Sequence, residues 1–158
     1  MSASPRIYTV GHSTRKLSQL ISLLKAYSID VLVDVRRFPR SRKNPQFNRE
    51  LLEAELEKAG IKYYWLGDLL GGFRRGGYRE YTKTDSYRQG IERLIEITKL
   101  GTTAIMCAEA LWFRCHRRYI SDTLASMGFE VIHIVSETRA YRHKLRETAS
   151  KCSISPGG

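Results

Sequence analysis

Val31-Leu32-Val33-Asp34-Val35 is the stretch that decides the fold of this chain. A nearly continuous apolar run of this kind is typical of a parallel strand that is covered on both faces. Apolar residues recur at helical spacing before it, over residues 17–27, and a second helical pattern follows it over residues 48–59. The run therefore predicts a central strand of an α/β sheet.

Further strands are predicted on both sides of this run, at residues 7–10, 61–66, 103–107 and 131–135, with helices at 86–100 and 115–127. Such alternation implies a parallel sheet with helices on both faces. We predict an α/β fold: an open, mostly parallel five-stranded sheet in a Rossmann-like three-layer sandwich. The 158 residues predict a single domain, with a core over about 6–139 and a basic, partly flexible tail over 140–158. Residues 67–82 predict a long loop.

The composition limits the class of protein. With 42% hydrophobic and 27% charged residues, the chain has the composition of a globular protein. No apolar run reaches the ~18 residues of a membrane span, and the N-terminal residues lack the apolar core of a signal peptide. We therefore expect a cytoplasmic protein without a membrane partner. Three cysteines (Cys107, Cys115 and Cys152) favour free thiols over a disulfide framework.

The strongest compositional feature is the formal net charge of +11. The charge is clustered, because residues 36–49 hold only basic charged side chains and Arg114, Arg117 and Arg118 adjoin a Cys-His pair. Basic domains of this size bind polyanions by releasing counterions from phosphates. The alternative is a solvated surface rich in Lys and Arg. We expect nucleic acid as the partner, and the sequence does not indicate the oligomeric state.

Polar residues follow three of the predicted strands. They form the segments Gly11-His12-Ser13-Thr14, Asp34 to Arg42, and Cys107-Ala108-Glu109 with Cys115-His116-Arg117-Arg118 beyond it. Right-handed crossovers bring strand-to-helix loops to one edge of a parallel sheet, where open α/β sheets bind their ligands. We therefore expect these loops to form one site.

The same loops carry the motifs of a known family. They are Tyr8-Thr9-Val10-Gly11-His12-Ser13, Val33-Asp34-Val35-Arg36, Phe38-Pro39-Arg40-Ser41, Asn44-Pro45-Gln46-Phe47, Leu66-Gly67-Asp68-Leu69-Leu70-Gly71-Gly72, Met106-Cys107-Ala108-Glu109-Ala110-Leu111 and Arg114-Cys115-His116-Arg117. In these motifs the chain resembles the domain of unknown function 488 family up to about Val135. One departure is Trp112-Phe113, where such proteins commonly have Pro-Trp. The resemblance implies the fold and the site but names no reaction.

Three residues are candidates for acid–base or nucleophilic catalysis: Glu109, Asp34 and His12. Glu109 follows an apolar strand, where we expect partial desolvation to suit a general acid, a general base or an attacking carboxylate. Asp34 lies inside an apolar strand and needs a partner, for which Arg36 and His12 are the candidates. His12 is either a proton shuttle or a residue that orients its neighbours.

The candidates for phosphate or nucleic-acid binding are Arg36, Arg37, Arg40, Arg42, Arg74, Arg75, Cys115, His116, Arg117 and Arg118. The Cys115-His116-Arg117 stretch is expected to open a helix, whose free N–H groups attract anions. Cys115 would have a lowered pKa there and is an alternative nucleophile. Its likeness to phosphatase and rhodanese loops is partial, because His116 and Arg117 follow the cysteine at once. We interpret Cys107 as a core thiol.

Aromatic residues near the basic loops are candidates for base stacking, namely Trp112, Tyr78 and Tyr81. With the carboxylates, they favour an enzyme that hydrolyses an N-glycosidic bond in nucleic acid, of the damaged-base DNA glycosylase type. That reaction needs no cofactor, whereas cleavage of a phosphoester would call for a divalent metal ion. The alternatives are a non-catalytic DNA- or RNA-binding or regulatory module, and a thiol-dependent small-molecule enzyme of rhodanese or phosphatase type.

Overall fold

The computed structural model describes residues 5–145. Within them the strands are Arg6–Gly11 (β1), Val31–Asp34 (β2), Lys62–Trp65 (β3), Thr103–Cys107 (β4), Glu130–Ile134 (β5) and Ala140–Arg142 (β6). The α-helices are Leu17–Ala26 (α1), Arg49–Lys58 (α2), Gly67–Leu70 (α3), Tyr78–Tyr81 (α4), Asp85–Thr98 (α5) and Arg117–Ser126 (α6). Single 3-10 turns occupy Pro45–Phe47 and Trp112–Arg114. No helix of this part of the chain is long and apolar enough to cross a membrane.

The strands form one open sheet in the order β3-β2-β4-β1-β5-β6. All neighbours are parallel except β5 and β6, which are antiparallel. The predicted α/β fold with five parallel strands is confirmed, and β6 is an addition to it. Strand β6 lies in the segment 140–158, which was predicted to be a partly flexible tail. Residues 146–158 of that predicted tail lie outside the described residues.

The helices cover both faces of the sheet, as the three-layer prediction required. On one face α1 and α2 contribute Leu20, Leu24, Leu52 and Leu56 to a core with Leu32 and Met106 of the sheet. On the other face α3, α5 and α6 contribute Leu70, Leu94, Ile120 and Leu124 to a core with Val33 and Ile105. Alternate residues of each buried strand pack into the two cores, because successive side chains of a strand point to opposite faces.

The long loop expected over residues 67–82 is more ordered than predicted, since α3 and α4 lie within it. The hydroxyl groups of Tyr78 and Tyr81 donate to the backbone carbonyls of Leu70 and Leu69, at 2.7 and 2.6 Å. These side-chain bonds tie α4 to the end of α3. Periodicity does not detect single-turn helices of four residues, which explains the difference.

The path of the chain places a crevice at the carboxyl end of β4. This strand lies between β2 and β1. The helices that follow β1 and β2 pack on one face of the sheet, and the helix that follows β4 packs on the other. Neighbouring strands whose connections leave toward opposite faces define the position at which α/β sheets bind ligands. The candidate site is expected in this crevice.

Candidate functional site

A cavity of about 820 Å³ opens at this crevice. That volume is typical of small-molecule sites. The polar residues that line it come from all three loops that the sequence singled out and from α6, and they include His12, Arg36, Arg37, Arg40, Glu109, Cys115, His116 and Arg118. The predicted convergence of these loops at one edge of the sheet is thus present in the structure.

Two cysteines meet in the cavity. Cys107 ends β4 and is 2% exposed, whereas Cys115 is half-buried just before α6. Their Sγ atoms lie 2.8 Å apart. The hydrogen bond with Cys107 lowers the pKa of Cys115, whereas burial raises the pKa of Cys107 well above its usual value. The pair therefore holds one proton on the buried sulfur and negative charge on the accessible one.

Two further groups stabilise negative charge on Cys115. The backbone N–H of Arg117, the first residue of α6, donates to Cys115 Sγ at 3.4 Å. The side chain of His116 places Nδ1 3.4 Å from the same sulfur. Its Nε2 lies 2.9 Å from the carbonyl oxygen of Val35 and carries a proton, because that oxygen only accepts. His116 Nδ1 is therefore the ring atom that faces Cys115 Sγ as a hydrogen-bond partner.

Asp34 and Arg36 form a buried ion pair at the end of β2. The Nε and Nη2 atoms of Arg36 donate to the two carboxylate oxygens of Asp34 at 2.8 and 2.7 Å. The Tyr63 hydroxyl and the Arg36 backbone N–H also donate to this carboxylate. Arg36 is therefore the partner of Asp34. The sequence had predicted either Arg36 or His12 in this position. Asp34 is fully buried and does not line the cavity, so it positions Arg36.

His12 lies beside Arg36 at the start of the loop after β1. Its Nδ1 donates to the Ser13 carbonyl at 2.8 Å, and the Nη1 of Arg36 approaches its Nε2 at 3.4 Å. The ring is stacked on Phe47 and is 2% exposed. Burial lowers the pKa of His12 to about 4. A neutral imidazole that is held on both nitrogens fits the orienting role better than the proton shuttle.

Glu109 lines the cavity, but its side chain is exposed, so the expected desolvation is absent. Its carboxylate accepts a hydrogen bond from the backbone N–H of Leu111 at 3.2 Å. No ion pair joins Glu109 to Arg36, because Arg36 is bound to Asp34. The loop after β4 curves toward solvent at Ala108, and this carries the glutamate away from the apolar sheet.

The predicted role of Arg117 as a phosphate ligand requires a correction, because its side chain does not line the cavity. Its side chain is 1% exposed and points under the loop after β4. It donates to the Thr9 hydroxyl at 3.0 Å and to the carbonyls of Glu109 and Ala110 at 2.7 and 3.3 Å. Among residues 5–145 no carboxylate pairs with this guanidinium. Arg117 therefore supports the wall of the cavity from behind.

The remaining predicted phosphate ligands separate into two groups. Arg37, Arg40 and Arg118 line the cavity, although Arg40 is paired with Glu50. Arg42, Arg74 and Arg75 do not line it. The guanidinium of Arg74 donates to the carbonyls of Gly71 and Asp68 and lies over the ring of Tyr81. Its contacts therefore stabilise the loop that carries it.

Of the predicted stacking residues, only Tyr78 lines the cavity. Its ring lies beside those of His116 and Tyr119, with ring centroids 5.1 and 5.5 Å away. Tyr81 packs against the core. Trp112 requires a correction, because it is stacked on His133 with the rings 4.3 Å apart and nearly parallel. That face of the indole is therefore occupied.

Sequence reasoning missed two contributors to the site. Cys107 was interpreted as a core thiol, and it is buried, but it contacts Cys115; two cysteines eight residues apart that flank a strand-to-helix loop were the available signal. Tyr63 binds Asp34 from the neighbouring strand β3, a contact that only strand order reveals.

Within the described part of the chain, no group of three His, Cys, Asp or Glu side chains is placed to hold a metal ion.

Comparison with curated proteins and with solved structures gave no significant match. Comparison with family models matched residues 16–124 to one described as "Domain of unknown function DUF488". The matched range contains Asp34, Arg36, Cys107, Glu109 and Cys115, which lie in or beside the cavity. Because the match covers more than half of the 158 residues, the chain belongs to the DUF488 family.

Proposed function

We propose that the protein is a thiol-dependent enzyme that acts on an anionic small molecule, with Cys115 as its nucleophile. The observation that carries the proposal is the setting of Cys115 Sγ at the cavity wall. The Cys107 thiol, the Arg117 backbone N–H and His116 Nδ1 all lie within hydrogen-bond reach of this sulfur. Cysteine attacks as the thiolate, and each of these contacts favours that form.

The charge of the cavity supports an anionic substrate. Five arginines line it (Arg36, Arg37, Arg40, Arg114 and Arg118), and Glu109 is the single acidic residue among its described lining. Two of the arginines are paired with carboxylates, namely those of Asp34 and Glu50. The other three leave an excess of positive charge, which attracts anions to the site.

The reaction begins when Cys115 Sγ attacks an electrophilic atom of the substrate. A bond forms between sulfur and that atom, and the bond to the leaving group breaks with its electron pair. His116 Nδ1, which receives the proton of Cys115, returns that proton to the leaving group. The bond from His116 Nε2 to the carbonyl of Val35 fixes the ring during both transfers. A second nucleophile then releases the adduct and restores the thiolate.

Hydrolysis of an N-glycosidic bond stays a prediction that the geometry favours less. Glu109 is open to solvent, and Asp34 is committed to Arg36 and Tyr63, so the two carboxylates are not brought together. A nucleic-acid partner also stays a proposal, supported by the net charge of +11 and by exposed cations such as Arg42 and Arg75. Cleavage of labelled oligonucleotides that is lost in Glu109→Gln and kept in Cys115→Ser would favour this alternative over the thiol enzyme.

Alkylation tests the thiol proposal without knowledge of the substrate. The rates of Cys115 modification by iodoacetate and by iodoacetamide are measured by peptide mass spectrometry between pH 5 and pH 9. We expect the iodoacetamide rate to change little down to pH 6, because the thiolate persists there. We also expect iodoacetate to be favoured relative to free cysteine, since the arginines attract its carboxylate, and inorganic phosphate or sulfate to slow both reagents.

Two variants distinguish the effect of charge inside the cavity from the effect of charge elsewhere on the surface. Arg118→Gln removes a cation that lines the cavity and should reduce the preference for iodoacetate. Arg42→Gln removes an exposed cation outside it and should leave the preference unchanged. A modification rate that rises about tenfold per pH unit up to an ordinary thiol pKa of about 8.5 would overturn the proposal.

A further inference from the structure

The two sulfurs of the cavity differ in their access to a substrate. Both cysteines line the cavity, but Cys115 is half-buried, whereas Cys107, 2.8 Å away, is only 2% exposed. A bulky molecule can therefore reach Cys115 first, and Cys107 can reach only what is bound to Cys115. This order of access is the one that a nucleophilic thiol and a resolving thiol require.

The loop between the cysteines allows their sulfurs to approach further. Residues 108–111 are exposed on the surface, and their described ties to the body of the protein include hydrogen bonds from Arg117 to the carbonyls of Glu109 and Ala110. The two sulfurs, 2.8 Å apart, need to approach by less than ~1 Å to reach the disulfide bond length of about 2.05 Å.

The structure disfavours phosphorus as the electrophile. A cysteine that attacks a phosphoryl group needs several N–H donors around the transferred oxygens and an arginine that holds them. Within residues 5–145, the backbone N–H of Arg117 is the one that donates to Cys115 Sγ, and the Arg117 guanidinium is buried under the loop. A neighbouring thiol has no part in phosphoryl transfer, whereas transfer at sulfur uses one directly.

We propose that Cys107 is the resolving thiol of a two-cysteine redox site and that the substrate is a small anionic disulfide. This inference rests on the proposed nucleophilic role of Cys115 and specifies that its electrophile is sulfur. The arginines of the cavity hold the anionic groups of the disulfide, and the two thiols supply the two electrons that reduce it.

The chemistry balances in two exchanges. Cys115 thiolate attacks one sulfur of the substrate, and the other substrate sulfur leaves and takes the proton held by His116 Nδ1. Cys107 then attacks Cys115 Sγ, so that a Cys107–Cys115 disulfide forms and the second substrate half leaves as a thiol with the proton of Cys107. The substrate gains two electrons and the protein loses two. An external dithiol reductant restores both cysteines.

The experiment uses dithionitrobenzoate, an anionic disulfide that releases a coloured thiolate, on the full chain carrying Cys152→Ser. That background leaves the two cysteines of the site as its only thiols. We expect two equivalents of thiolate per protein and a product two hydrogens lighter, without an adduct, which dithiothreitol converts back. In Cys107→Ser we expect one equivalent and a stable mixed disulfide on Cys115. Cys107→Ala gives the same readout if the serine variant does not fold.

The outcomes separate this inference from the proposed function. If the Cys152→Ser protein stops at a mixed disulfide on Cys115, Cys107 does not resolve it, and the redox inference falls while the nucleophile stands. If Cys115 does not react in the folded protein, both proposals fall. Cystamine, a cationic disulfide, should react more slowly than dithionitrobenzoate relative to their rates with free cysteine, and an equal ratio would overturn the anionic substrate class.

Discussion

The guanidinium of Arg117 donates a hydrogen bond of 2.7 Å to the backbone carbonyl of Glu109. One residue that was expected to bind phosphate thus supports the loop that carries another candidate. The same side chain also reaches Thr9 on β1, so it links α6 to β1 and to the loop after β4. The wall of the cavity depends on this buried cation.

We expect Arg117→Met to lower the free energy of unfolding by about 1–3 kcal/mol, because it removes the hydrogen bonds from the buried guanidinium to Thr9, Glu109 and Ala110. Equilibrium unfolding in urea measures the change. Arg42→Gln, which removes an exposed arginine, is the control and should change stability by no more than about 0.5 kcal/mol. An Arg117→Met protein as stable as wild type that no longer binds anions would return Arg117 to the role of a ligand.

Asp34 is expected to act through Arg36, which makes its effect on stability large. Asp34→Asn removes the partner of a buried guanidinium, and such a change costs about 3–5 kcal/mol. Tyr63→Phe removes one neutral donor from the same carboxylate and should cost about 1 kcal/mol. Urea unfolding of both variants gives the comparison. A stable Asp34→Asn protein that has lost only its activity would instead identify Asp34 as a catalytic residue.

The fold was predictable because its signals are local. Alternating apolar runs and helical periodicity identify the five parallel strands and the long helices, and the rule for open α/β sheets then locates the site. Strand β6 was missed for a physical reason. Its residues Ala140, Tyr141 and Arg142 are all exposed, so the edge strand carries no burial pattern.

The site was predictable only in part, because side-chain direction depends on tertiary packing. His12, Arg36 and Cys115 lie at the cavity edge where the sequence placed them, since each follows a buried strand or precedes a helix. Arg117 and Trp112 were misplaced in the interpretation, because both lie next to site residues in sequence but turn into the protein. A sequence pattern specifies which loop carries a residue, but not which side of the loop its side chain occupies.

The buried histidines predict a loss of stability in mild acid. Burial lowers the pKa of His12 to about 4 and that of His133 to about 3, from an ordinary value of 6.5. The unfolded chain therefore binds more protons than the folded one between these values, so stability falls as the pH drops below 6.5. For His12 the loss is complete below about pH 4 and amounts to about 3 kcal/mol, at 1.36 kcal/mol per pKa unit.

Urea unfolding at intervals between pH 7 and pH 4 measures this dependence. His12→Asn cannot titrate, so its stability should depend less steeply on pH than that of the wild type. The dependence that remains is expected to contain the contribution of His133. Identical slopes for the two proteins would mean that His12 takes up protons as readily in the folded state as in the unfolded chain, which would revive its role as a proton shuttle.

Gly11 allows the close approach of β1 to the loop after β4. A Cβ atom at this position would overlap the backbone carbonyl of Glu109, so Gly11→Ala must displace the loop that covers Cys107. We expect this variant to lose about 1–3 kcal/mol of stability and to make Cys107 accessible to iodoacetamide, as peptide mass spectrometry would detect. Gly128→Ala is the matched control: its φ of +98° makes alanine unfavourable, but nothing lies within 4 Å, so it should lower stability and leave Cys107 protected. Equal protection of Cys107 in both variants would mean that the loop does not govern access to the resolving sulfur.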